Sequence, residues 1–412
     1  MIKQHILVVC QYFYPEEFRI NDICKEWVKR GYEVTVVTGI PNYPQGKFYK
    51  GYSWFSKTNE EYEGIHIVRI PIIPRGKNSI MMILNYISFV ISGFFWKMFT
   101  KVKADKVFIF QLSPMTQALV GAWYAKKRKI PCYIYVQDLW PESVQAVTGI
   151  HNKSMINMID KIVNYVYKNS TKIFATSPSF VKKIEERESA FQDKESKVIY
   201  WPQYAEEFYQ PMDKKSVRKQ ISTAEVSESD ELKIVFTGNI GYAQGLDILP
   251  KVAKLLKEEK IRCSFYIVGD GRYREQLVKE IEEADASDMF KLLGRKKPEE
   301  IPAYLSLMDV AFLSFAENPL YSMTIPAKLQ SYMGCGMPIL AVAEGETKRI
   351  IEEAKCGVCC EIREPKEVVR AIKKFIENKN QLKEMGVNAK QYNEKEFNKK
   401  ELLNTMDGWL TS

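Results

Sequence analysis

Two doubly wound α/β domains in series are the fold predicted for this chain, on three observations. Its 412 residues exceed what one ordinary core supports, so two units of about 200 residues each are expected. Short apolar runs alternate with helix-length segments from Ile6 to Tyr200, and the alternation restarts from Lys233 to Glu361, the pattern of parallel sheets with crossover helices. The break between them falls near Pro202 to Pro211.

Ile6 to Cys10 opens the first alternation, followed by a loop, a helix-like segment from Ile20 to Arg30, Gly31 and a second run from Val34 to Val37. That is strand, helix, strand at the start of a parallel sheet. The first run is too short for a secretory signal and lacks a cleavage site. Further strands are expected at 65–70, 106–110, 132–136, 172–176 and 197–200. The second alternation supplies 233–236, 263–268, 291–293, 310–315, 338–342 and 357–361. Pro365 to Leu410 reads as two or three polar helices anchored by Tyr392, Phe397 and Trp409. The expected domains are 1–204 and 205–385, with terminal helices over 386–412.

A hydrophobic content of 46% with 27% charged residues excludes a disordered chain. Eight cysteines are scattered without a framework spacing and read as reduced, buried thiols of a cytosolic protein. Cys356 and Cys359 form a CxxC, but there is no second pair, and His5, His66 and His151 are far apart in sequence. No metal site is expected. Residues 1–204 hold 28 Lys and Arg against 17 Asp and Glu, net +11, whereas the remainder is net −2. No basic stripe interleaved with stacking aromatics accompanies that charge, so nucleic acid is not the expected partner. An anionic membrane surface or a phosphorylated lipid suits it better.

Asn78 to Trp96 is 19 residues without a charge, bounded by Arg75, Lys77, Lys97, Lys101 and Lys103. A full membrane span would tear apart the sheet whose strands flank it. Two readings stay open: a buried crossover helix, and a helix lying in a membrane interface.

The most informative stretch runs from the apolar Val310 to Phe315 through a loop into Thr324-Ile325-Pro326-Ala327-Lys328, then a helix-like segment closing at Gly334-Cys335-Gly336. Pro326 suits the first turn of a helix, whose free N–H groups attract anions, and Lys328 adds a full charge there. Earlier, Phe236-Thr237-Gly238-Asn239-Ile240-Gly241 begins a glycine-rich turn after a strand, where backbone can approach a phosphate closely. Together these segments resemble the donor site of retaining glycosyltransferases of the family 4 type, above all the branch acting on bacterial surface polysaccharides, with its Gly-Asn-x-Gly and Thr-Ile-Pro-x-Lys pattern.

The resemblance implies a GT-B fold, with two Rossmann-like domains facing across a cleft and a last helix crossing back to the first domain. It implies transfer of a sugar with retention, here an N-acetylated or deoxy hexose from a UDP-sugar, onto a lipid-linked or saccharide acceptor, without a metal cofactor. The donor residues it places are Gly238, Asn239, Gln244, Arg295, Ser322, Thr324, Ile325 and Lys328. The family's Arg and Lys are replaced by Asn239 and Gln244, which leaves Lys328 as the diphosphate cation, helped by N–H groups near Gly238 and Thr324. The family's paired glutamates are replaced by Met323 and Ser331, so Glu344 or Glu346 is the candidate for the ribose, unless that loop is only solvated. Asp270 is a further strand-end residue or a plain turn. On the first domain, Asp138 follows the strand at 132–136 and is the candidate catalytic carboxylate beside Lys328, or else a helix cap. Glu16 and Arg19, in the loop after the first strand, are the acceptor candidates. The expected place is the cytoplasm, peripheral at the inner face of the cell membrane. The alternatives are a nucleotide-sugar 2-epimerase of the same fold and a non-enzymatic sugar- or lipid-binding protein.

Overall fold

The computed structural model describes residues 4–76, 78–148, 152–189 and 196–411. Lys77 and His151 lie outside the described residues. The chain divides into two compact units, Met1–Trp201 and Pro202–Ser412.

The first unit is built on eight strands: β1 (His5–Val9), β2 (Glu33–Thr38), β3 (Asn59–Tyr62), β4 (Ile65–Arg69), β5 (Lys106–Gln111), β6 (Cys132–Val136), β7 (Lys172–Ala175) and β8 (Val198–Tyr200). Their order is β3-β4-β2-β1-β5-β6-β7-β8, and all pairs are parallel except β3 with β4. Ile6 to Val9 are fully buried, because helices cover both faces of a parallel sheet, and such a strand reads as an unbroken apolar run. Sequence reading missed β3. It is a polar edge strand, Asn-Glu-Glu-Tyr, and charge on an edge is how sheets avoid pairing with strangers.

Helix α1 (Arg19–Lys29) buries Ile20, Ile23, Cys24 and Trp27 on one face. The uncharged segment forms α2 (Ser79–Phe99), capped by the Asn78 side chain, which accepts from the Met81 N–H. It occupies a crossover position between β4 and β5 but is not buried as a core crossover helix. Only Asn85, Phe89 and Gly93 are buried, a stripe at four-residue spacing. A Cβ on Gly93 would lie 2.3 Å from Val120, so glycine lets α2 settle onto α3 (Ala118–Arg128). Asn85 accepts from Gln11 Nε2 and donates to the Ile73 carbonyl, both at 2.6 Å. The opposite face, Ile80, Ile83, Leu84, Ile87, Ile91, Phe94, Phe95, Met98 and Phe99, is exposed.

The second unit carries β9 (Leu232–Thr237), β10 (Cys263–Val268), β11 (Phe290–Gly294), β12 (Val310–Ser314), β13 (Ile339–Val342) and β14 (Gly357–Cys360). All are parallel in the order β11-β10-β9-β12-β13-β14. Strand order reverses between β9 and β12, the point where such sheets open a crevice beyond their carboxyl ends. Apolar clusters cover both faces. The helices Pro365–Glu377, Lys379–Glu396 and Lys399–Thr411 complete this unit. All eight cysteines are free thiols, seven of them buried, and burial pushes thiols such as Cys132 up to about 12.

Candidate functional site

The switch point of the second sheet gathers residues distant in sequence. Gly238 directly follows β9 and Gly269 directly follows β10, and a Cβ on Gly269 would stand 1.8 Å from the Gly238 carbonyl oxygen. With its φ of +153°, that position admits only glycine. Beside this turn lies the helix Ala327–Gly334. Pro326 is not in its first turn as expected but is the extended residue just before it, φ −75° and ψ 139°, because its ring fixes φ while ψ remains free to leave the helix. Tyr332 from this helix accepts the Thr237 N–H at 2.8 Å through its hydroxyl, which pins the helix to the end of β9.

Lys328 therefore points at the glycine turn. Its Nζ would stand 3.7 Å from a Cβ on Gly238, lies 4.0 Å from the centre of the Phe236 ring and donates to Gln244 Oε1. No carboxylate pairs with it among the described residues. Burial lowers its pKa to about 7, since a poorly hydrated ammonium is costly without a counter-ion. The ring face and the amide oxygen are what favour its charged form. Gln244 thus does not substitute for a second cation; it holds the first.

Other expectations sort differently. The Thr324 N–H donates to the Tyr321 carbonyl at 3.1 Å and the Gly238 N–H to the Val268 carbonyl at 2.9 Å, so neither faces a ligand. The N–H groups of Ala327 and Lys328 lie in the first turn of the helix, before the point where i−4 bonding begins. Ile325 is 4% exposed and belongs to the core, so its side chain is no donor contact. Ser322 and Thr324 turn their hydroxyls back to the carbonyls of Pro319 and Leu320. Asn239 is exposed beside Gly241. Arg295 is exposed after β11 and makes no hydrogen bond or ion pair among the described residues. Asp270 bonds the Gly271 N–H, a turn residue. Glu344 is exposed, whereas Glu346 is 6% exposed and meets Arg349 at 2.9 Å. A Cβ on Gly345 would fall 2.0 Å from the Ser322 carbonyl, and Thr347 donates to the Thr324 carbonyl. These contacts press the acidic helix start onto the Ser322 to Thr324 loop.

In the first unit, Asp138 follows β6 and does not cap a helix. Its Oδ2 accepts the Ser113 N–H at 2.8 Å. Burial raises its pKa, and hydrogen bonds from Ser113 oppose the rise. Glu16 is 2% exposed and accepts the N–H groups of Asn42 and Tyr43 at 2.7 and 2.6 Å. It organises the loop from inside and is not a surface contact, and burial holds its carboxyl near 7. Arg19 opens α1, half-buried. Sequence reading missed Phe236, Tyr332 and a tyrosine cluster around Arg75. For the last, the sequence shows only an arginine just before an uncharged helix; the approach of Tyr12 and Tyr43 is set by tertiary packing.

Residues 217–392 match the family described as Glycosyl transferases group 1. The chain carries a glycosyl transferases group 1 domain. The group 1 domain contains every residue of the switch-point site, from Gly238 to Glu346. The chain is 25% identical over 251 residues, 59% of each protein, to "Probable glycosyltransferase WbjE" of Pseudomonas aeruginosa. It is 24% identical over 336 residues, 78% of each, to "Putative colanic acid biosynthesis glycosyl transferase WcaI" of Escherichia coli K12. The match thus spans less than two thirds of the P. aeruginosa relative. Among solved structures, HepE of Anabaena in complex with UDP covers 100% of both chains at a TM-score of 0.71 and 15% identity. Two Rossmann-like sheets in series, with such neighbours, make this a GT-B fold.

Proposed function

We propose that the protein is a retaining glycosyltransferase of the family 4 type, moving a sugar from a UDP-sugar to a lipid-linked or saccharide acceptor in bacterial surface polysaccharide synthesis. The observation that carries this reading is Lys328: a buried amine with no carboxylate partner among the described residues, aimed at a glycine turn at the switch point of the group 1 domain. A nucleoside diphosphate supplies the missing anion. As the bond from sugar to β-phosphate breaks, the growing charge on the leaving oxygen meets Lys328 and the first-turn N–H groups of its helix. Asp138 is proposed to accept a hydrogen bond from a sugar hydroxyl or the acceptor's proton. WbjE and WcaI carry glycosyltransferase names and HepE was solved with UDP, which support the class. The donor's identity as an N-acetylated or deoxy hexose follows from the family resemblance.

A panel of UDP-sugars with mass-spectrometric detection tests the reading. UDP release from at least one donor is expected, faster with a lipid-linked saccharide present. Epimerised donor without transfer would establish the 2-epimerase alternative, and no turnover of any donor would leave a binding protein.

The same proposal places the protein at the inner face of the cell membrane, on an anionic surface. The exposed face of α2 supplies apolar area and the net +11 of residues 1–204 supplies attraction, about 1 kcal/mol for each nearby Lys or Arg. Vesicles containing anionic lipid are expected to carry the protein upward on flotation at low salt and to lose it at high salt. Ile91→Glu with Phe95→Glu should release it. A parent protein that ignores such vesicles removes the membrane from the proposal.

A further inference from the structure

The loops after β1, β2 and β4 are stitched into one platform at the carboxyl ends of their strands, where ligands of parallel sheets bind. Glu16 holds Asn42 and Tyr43, the Arg75 N–H donates to Asn42 Oδ1 at 2.9 Å, and the Gly76 N–H donates to the Gly46 carbonyl at 3.0 Å. Two arginines rise from this platform with opposite circumstances. Arg69 is paired with a carboxylate: its Nη2 donates to Glu60 at 2.6 Å and to the Tyr14 carbonyl at 2.7 Å. Arg75 meets no carboxylate among the described residues. Its guanidinium donates to the Tyr12 hydroxyl at 2.9 Å and touches Met82 Sδ at 3.4 Å, and lies against the rings of Tyr43 and Tyr86 at 5.5 and 5.7 Å. It makes no other hydrogen bond among the described residues.

An arginine flanked by aromatic rings keeps its planar fork of donors oriented, and such a fork receives phosphate oxygens. Tyr43 is 39% exposed, so the cluster opens to solvent. Met82 and Tyr86 belong to the first turns of α2, so the cation sits at the head of a helix about 31 Å long whose outward residues, Ile83, Ile87, Ile91 and Phe95 among them, are apolar and exposed. A cationic head joined to a long apolar track matches one chemistry, an anionic headgroup on a long hydrocarbon.

We infer that Arg75, with Tyr12, Tyr43 and Tyr86, binds the phosphate of a long-chain lipid phosphate or diphosphate whose hydrocarbon lies along the outward face of α2. This deepens the lipid-linked acceptor in the proposed function and rests on that reading for its biological sense. The contact between Gln11 and Asn85 fixes α2 to the loop after β1, so head and track keep one relative position.

The test uses the full chain and three soluble probes: farnesyl diphosphate, farnesol and inorganic diphosphate, with binding read by calorimetry. The parent should bind farnesyl diphosphate at least tenfold more tightly than either fragment. Arg75→Gln should cost at least tenfold for farnesyl diphosphate and leave farnesol unchanged, Arg75→Lys should recover part of the loss, and the surface variant Ile91→Glu should weaken farnesyl diphosphate and farnesol alike. Equal affinity of Arg75→Gln and parent for farnesyl diphosphate overturns the inference. So does a parent that binds farnesol as tightly as the diphosphate, or inorganic diphosphate as tightly as its farnesyl ester. Those last two comparisons need no variant and decide the matter if Arg75→Gln does not fold. UDP titrated into the same samples separates the two readings: no UDP binding sinks the transferase and leaves this site standing, whereas unchanged farnesyl diphosphate binding by Arg75→Gln sinks this site and leaves the transferase.

Discussion

Lys328→Ala is expected to weaken UDP binding by about 1.5–3 kcal/mol, the range for a hydrogen bond to a charged group, while uridine affinity stays unchanged. The difference isolates the diphosphate, because uridine carries the base and ribose alone. A single lysine is expected to bear this load because, on the family resemblance, the positions of the other cations hold Asn239 and Gln244. The effect should also depend on pH. With its amine lowered by burial to about 7, Lys328 is protonated below that pH and loses its proton above it, whereas a bound diphosphate favours the ammonium. UDP affinity of the parent should therefore decline as pH rises from 7 to 9, and that of Lys328→Ala should not follow. The same depressed pKa lies below the unfolded value near 10.4, so the unfolded chain holds the extra proton between about 7 and 10, and this group's contribution to stability rises with pH across that window. Calorimetric titrations at pH 6.5, 7.5 and 8.5 settle it. Equal UDP affinity in mutant and parent would falsify the assignment of Lys328 as the diphosphate cation.

Asp138→Asn should lower turnover by about 10²–10⁴-fold, the scale of a lost general base, with UDP affinity nearly unchanged. The substitution is a clean one. An amide oxygen can still accept the Ser113 N–H that the carboxylate accepts now, so the brace between the loops after β5 and β6 survives while the proton acceptor is removed. Because burial raises the Asp138 pKa, parent activity should fall on the acid side at a higher pH than for an ordinary carboxylate. Normal turnover in Asp138→Asn would reduce the residue to that brace.

Most strands were legible because all pairs but β3 with β4 are parallel and the sheets are covered on both faces, which writes such a strand as an unbroken apolar run like Ile6 to Cys10. β3 was not, since an edge strand of Asn, Glu and Tyr carries no apolar signal. Lys328 was legible from its place after Pro326, a local pattern. The fate of nearby groups was not local: the Thr324 N–H is consumed by a turn to Tyr321, and Glu16 disappears beneath a loop 26 residues away. Arg75 looked like one basic flank of a helix among several, and only tertiary packing gathers Tyr12, Tyr43 and Tyr86 around it. The uncharged segment left two readings because composition reports apolarity, not which side of a helix faces its neighbours.

The bond from the Thr237 N–H to the Tyr332 hydroxyl joins positions 95 residues apart. The glycine turn therefore lacks its partner helix until more than half of the second unit has left the ribosome, and closing so long a loop is a late and slow event. The proposed nucleotide binding would in that sense report that synthesis has passed Tyr332: a chain stopped before it keeps the turn in its sequence but has nothing to hold it against.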